Sequence, residues 1–149
     1  MNFSPLTISF KGDRAYIYIW VSKKWDVLYV GQTNNANGTL GRALGHIKNE
    51  GTLRNRFEER VGIELENVND LLLLSFPLPK EKKYVSNESC FREAIEYLVQ
   101  INLYFNQDKV RTPYNIISNV RSNNLVGKKY IEEIANNITS DFINIYNEL

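Results

Sequence analysis

The chain has 149 residues, 43% hydrophobic and 23% charged, so a single domain spanning 1–149 with a genuine core is expected rather than a disordered or fibrous chain. Its one cysteine excludes an internal disulfide and suits a reducing compartment, and one cysteine with one histidine excludes a Cys/His zinc site. Eighteen basic against 17 acidic residues leave a net charge of +1, which alone does not announce a nucleic-acid binder.

Met1–Phe10 lacks a charged leader before a long apolar core and does not read as a signal peptide; Ile8–Phe10 reads as a short leading strand closed by a turn at Gly12-Asp13. Ala15–Val21 is β-branched and aromatic and predicts a strand. Polar Ser22–Asp26 has the length of a hairpin loop, and Val27–Gly31 predicts the returning strand. Thr33–Gly38 is dense in turn formers. Thr39 is expected to cap a helix through Leu40, Leu44 and Ile47, with Gly41 and Gly45 allowing close approach of a neighbour. Thr52–Arg60 predicts a second helix, ending near Gly62. Asp70–Leu78, with four consecutive leucines and then Pro77, predicts a buried central strand. That apolar run is far too short to cross a membrane, which takes about 20 residues, so a soluble, cytoplasmic protein is expected.

Lys80–Lys83 reads as a charged loop, and Ser86 or Asn87 as the cap of a long helix through Phe105, apolar at Phe91, Ile95, Leu98, Val99 and Leu103. Pro113–Ile117 reads as extended. Lys128–Tyr146 predicts a last amphipathic helix with Ile131, Ile134, Ile138, Phe142 and Ile145 on one side, so that 128–149 packs on the domain or forms an interface with a second copy or a protein partner. The expected fold class is α/β (α+β): a small central, mainly antiparallel sheet with an N-terminal β-hairpin, flanked by helices. Two basic clusters stand out, Arg42, Lys48, Arg54, Arg56 and Arg60, then Lys80, Lys82, Lys83 and Arg92.

One ordered set of residues carries chemistry. The hairpin holds Tyr16-Ile17-Tyr18 and, after ten intervening residues, Tyr29-Val30-Gly31. Arg42 follows on the next helix, with His46 four residues on, one helical turn away on the same face. Glu96 lies within the long helix, and Pro113-Tyr114-Asn115 comes after it. In order and context this set resembles the GIY-YIG nuclease family. Tyr16-Ile17-Tyr18 stands where that family has Gly-Ile-Tyr, and Tyr29-Val30-Gly31 where it has Tyr-Ile-Gly. Leu40-Gly41-Arg42-Ala43-Leu44-Gly45-His46 is similar to its arginine helix, and Arg92-Glu93-Ala94-Ile95-Glu96 to its glutamate helix. Tyr16 departs from the family's glycine, and the stretches from Tyr29 to Arg42 and from Glu96 to Asn115 are long.

The resemblance implies a metal-dependent endonuclease that hydrolyses phosphodiester bonds of nucleic acid, with DNA favoured over RNA as its substrate. Glu96 would hold a single Mg²⁺ or Mn²⁺, hard cations that take oxygen ligands. Arg42 would clamp the phosphate through its planar fork. Tyr18 and Tyr29 would converge on the attacking water, with the choice of general base open, although tyrosine has an ordinary pKa of about 10. His46 would carry a proton or bind phosphate. Gly31 and Asn115 would bind substrate. Glu93, one turn before Glu96, is the competing carboxylate. Taken singly, each residue has a plainer reading as a strand aromatic, a surface arginine or a turn asparagine. The alternative functions are a catalytically silent nucleic-acid-binding module and a subunit of a larger nuclease complex.

Overall fold

The computed structural model describes residues 14–34, 36–47 and 51–149; the expected strand at Ile8–Phe10 and the turn after it lie outside them. The elements are β1 (Tyr16–Ser22), β2 (Val27–Thr33), α1 (Gly38–Ile47), α2 (Thr52–Val61), β3 (Leu72–Pro77), α3 (Lys82–Val85), α4 (Cys90–Phe105), β4 (Asn115–Ile116) and α5 (Lys129–Glu148). The sheet order is β3-β1-β2-β4. β1 pairs antiparallel with both β2 and β3, and the short β4 runs parallel to β2. The fold is the mixed α/β arrangement expected, with the hairpin at its centre.

Strand alternation decides the two layers. Ile17, Ile19 and Val21 of β1, with Leu28 and Val30 of β2, face α4 and α5 and meet Ala94, Ile95, Val99, Leu103, Ile131, Ala135 and Phe142. The intervening positions Tyr18, Trp20, Val27 and Tyr29 face the other way, onto Ala43 of α1 and Leu53 and Phe57 of α2. One face of the hairpin is therefore aliphatic and the other aromatic. With helices on both faces, β1 is buried at all seven positions.

Several expectations change in detail. The leucine run forms β3, but among the described residues β3 is an edge strand, partly exposed, with Leu72 at 41%. An edge tolerates Pro77 because its missing N–H is not needed by a further strand. Thr39 lies inside α1 rather than capping it: it is fully buried, and its Oγ1 lies 2.5 Å from Ser75 Oγ of β3, tying the helix to the sheet. A β-carbon at Gly45 would meet nothing within 4 Å, so packing does not demand that glycine. α2 ends where expected, with Gly62 at φ 75° supplying the left-handed cap that non-glycine residues resist. The charged stretch at Lys80–Lys83 runs into the short helix α3. The apolar stripe of α5 is spent inside the chain, against α4 and the aliphatic face of the sheet. At the hairpin tip Lys23 is not a free surface charge: its Nζ donates to the Tyr146 carbonyl (3.2 Å) and sits 3.9 Å from that ring's centre. No helix among the described residues is long and apolar enough to cross a membrane.

Candidate active site

The aromatic face of the hairpin builds the site. Tyr18 and Gly31 are cross-strand partners. Their side chains point the same way, and the Tyr18 ring lies across the space that a side chain at position 31 would fill. A β-carbon on Gly31 would come within 2.5 Å of Tyr18 Cε2 and closer still to Cζ and Oη. This is why the second tripeptide ends in glycine here. Tyr29, one pleat along, shares the face.

α1 lies over this face. Ala43 packs into the aromatic layer, and the Thr39–Ser75 contact fixes the start of the helix. His46 is thereby driven between the two tyrosines, 1% exposed, with its ring edge-on to both: centroids are 5.3 Å from Tyr18 and 5.2 Å from Tyr29. Its Nε2 lies 2.5 Å from Tyr18 Oη. Arg42, one turn earlier and exposed, lies close enough to favour the ionised Tyr18 phenol and acts electrostatically on Tyr29, His46 and Glu96. Glu96 reaches the same group from α4, half-buried and within electrostatic range of both tyrosines. Residues 78 positions apart in sequence thus converge.

Burial sets the protonation states. It pushes the Tyr18 phenol well above its ordinary value, and the nearby Arg42 guanidinium does not offset it. Tyr29 is raised for the same reason, reinforced by the Glu96 charge. Burial and then Arg42 lower His46 to about 4, so its ring is neutral at physiological pH. Burial, then Glu93, pushes the Glu96 carboxyl up to about 8, against the pull of Arg42 and Arg92. The competing Glu93 accepts a hydrogen bond from Ser89 Oγ (2.7 Å) at the start of its own helix.

Asn115 does not join this group. It is exposed and pairs with Val27, four residues along β2 from Gly31, roughly 13 Å at about 3.3 Å per residue. The chain nevertheless continues beside β2: the Ile117 N–H donates to the Leu28 carbonyl (2.9 Å) and the Val30 N–H to Ser118 Oγ (2.9 Å).

Arg92 belongs by sequence to the second basic cluster. It is 3% exposed and is fixed by three acceptors, Gln32 Oε1 from its Nε (2.7 Å) and the Tyr84 and Ser86 carbonyls from its Nη1 (2.8 and 2.6 Å). The signal was present in the spacing, because positions 92, 95, 99 and 103 form the buried stripe of α4 and a charge in such a stripe calls for a reason. Other members of the basic clusters are neutralised: Arg54 pairs with Glu66, Arg56 with Glu59 and Lys83 with Glu81.

Among the described residues no three His, Cys, Asp or Glu side chains gather as a metal cage. What the site offers a cation is one carboxylate, partly stripped of water and raised in pKa, as expected of a group that ionises readily only beside additional positive charge. That suits a magnesium-like ion, which keeps several of its own waters and takes one or two carboxylates.

No family model matches the chain, and neither a curated protein nor a solved structure does.

Proposed function

We propose that the chain is a GIY-YIG-type endonuclease that hydrolyses phosphodiester bonds, in DNA by preference, with Tyr18, Tyr29, Arg42, His46 and Glu96 as its working residues. The observation that carries this reading is the buried 2.5 Å Tyr18–His46 contact, flanked by Tyr29 and within reach of Arg42 and Glu96. A purely structural layer has little need of an exposed arginine and a half-buried carboxylate converging on one phenol.

The protonation states favour one division of labour. Tyr18 keeps its proton at neutral pH, so it does not act as a standing phenolate. His46 is neutral and can accept at Nε2, with its remaining ring proton on Nδ1. Tyr18 can then take the proton of an attacking water while passing its own to His46, which avoids a free phenolate. Arg42, exposed and near the phenol, would bind the phosphate and the charge that develops on it. Glu96 would hold Mg²⁺ or Mn²⁺, which would supply Lewis-acid neutralisation of the phosphate and of the departing oxygen. Tyr29 orders the His46 ring from its second side. Gly31 gives the Tyr18 ring its place.

The relay is tested by single-turnover cleavage of plasmid DNA. Tyr18→Phe and His46→Ala should each slow it by about 10² to 10⁴, as removal of a general base does. The double variant should be no slower than the worse single one, because the two act in series. Full activity in either single variant would remove the relay. The alternative, binding without turnover, draws support from the firmly held Tyr18 proton, and would show as strand binding with no cleavage in any metal.

A further inference from the structure

Beside the catalytic group lies a cleft of about 230 Å³ lined by Gln32, Thr33, Asn34, Arg42 and Arg92. We propose that this cleft is a second phosphate subsite, in which Arg92 and Arg42 together bind the phosphate next to the scissile one. The inference rests on the nuclease reading and adds to it a residue and a subsite.

A buried guanidinium is costly unless something answers its charge. The three acceptors of Arg92 are all neutral, one side-chain amide oxygen and two backbone carbonyls. Glu93 and Glu96 act on it through space. Its Nη2 makes no hydrogen bond among the described residues, which leaves that nitrogen to a ligand in the cleft. If Arg92 served only to staple the turn at 84–86, a neutral donor would do as well. The turn is in fact held a second time, because Asn34 Nδ2 donates to the Val85 and Ser86 carbonyls (3.0 and 3.1 Å). The result is a rigid floor carrying one fixed cation, with an exposed second cation, Arg42, on its rim. Planar guanidinium groups presented in this way suit a phosphate, which offers several oxygens to their forks. Because Arg42 also lies within electrostatic range of Tyr18, a phosphate shared between the two arginines sits beside the one that the tyrosine pair addresses.

The test is the salt dependence of strand binding, since each phosphate contact to a single strand contributes about 0.7 to the slope of log affinity against log salt. Wild type, Arg92→Met and Arg92→Lys are titrated with a short labelled thymidine strand in EDTA, between about 50 and 200 mM salt. Arg92→Met should lower the slope by about 0.7 and Arg92→Lys should retain it. A structural staple alone would change stability and leave the slope unmoved. Folded Arg92→Met with the wild-type slope overturns the proposal. If that variant does not fold, wild type is titrated with strands carrying one neutral methylphosphonate at each linkage in turn. Two adjacent linkages whose neutralisation each lowers the slope support the subsite, and a single sensitive linkage overturns it. Metal-dependent cleavage with an unchanged Arg92→Met slope defeats this inference alone, whereas absence of any strand binding by wild type defeats it together with the nuclease reading.

Discussion

Gly31→Ala is the sharpest small perturbation of the site. The new methyl would lie 2.5 Å from Tyr18 Cε2 and nearer to Cζ and Oη, where ordinary contact begins at 3.4 Å, so the end of the ring must retreat by about 1 Å. The tyrosine is 2% exposed and packed edge-on to His46, so that retreat breaks the 2.5 Å contact with Nε2. Overpacking of this kind costs about 1–3 kcal/mol. The lost hydrogen bond adds about 1 kcal/mol, and more if the buried imidazole is left unsatisfied. Urea unfolding of Gly31→Ala should therefore show a loss of about 2–4 kcal/mol. In a Tyr18→Ala background the same substitution meets open space and should cost less than about 0.5 kcal/mol. The coupling between the two positions would be about 1.5 kcal/mol or more. A Gly31→Ala protein as stable as wild type, or one whose loss is the same with and without the tyrosine ring, would refute the packing of Tyr18 over Gly31.

The two shifted acids give stability opposite pH slopes. His46 has a folded pKa of about 4 against an ordinary 6.5, so the folded chain binds fewer protons and stability falls as pH drops from 6.5 towards 4. Glu96 has a folded pKa of about 8 against 4.5, so the folded chain binds more protons and stability falls as pH rises from 4.5 towards 8. Thermal melts across pH 4–8.5 should accordingly lose the acid-side decline in His46→Gln and the alkaline-side decline in Glu96→Gln; curves unchanged in both would contradict these ionisation states. Because a proton must leave Glu96 before a cation binds, Mg²⁺ should raise the wild-type melting temperature more at pH 8.5 than at pH 6, and an equal rise would argue against Glu96 as the ligand. Asn115→Ala should leave the cleavage rate unchanged, because Asn115 pairs with Val27 away from the tyrosines; a clear loss would put it back in the site.

Much of this arrangement was legible in the sequence because it depends on local periodicity. Alternating apolar and aromatic residues marked β1 and β2, and one-turn spacing placed Arg42 and His46 together. Gly62 and the amphipathic stripe of α5 were equally readable. What escaped depends on partners distant in sequence. Four leucines say that a strand is apolar, not whether it lies at the centre or the edge, and the sheet order put β3 at the edge. Thr39 has the chemistry of a cap, but Ser75 on β3 supplied it with another partner. That Asn115 sits away from the tyrosines follows from its parallel pairing with Val27, which no local pattern encodes. The protonation of Tyr18 was the furthest from reach: a cation beside a phenol favours its ionised form and Arg42 is near, yet burial outweighs it.

The central claim is hydrolysis by the convergent tyrosine, histidine, arginine and glutamate side chains, and cleavage tests it most directly. Wild type, Glu96→Gln and Arg42→Ala are incubated with supercoiled plasmid, single-stranded DNA and RNA, each in Mg²⁺, Mn²⁺ and EDTA. The expected result is metal-dependent cleavage of DNA by wild type that is lost in both variants while their folds persist. No cleavage by folded, strand-binding wild type, or cleavage that survives both substitutions, would contradict the claim.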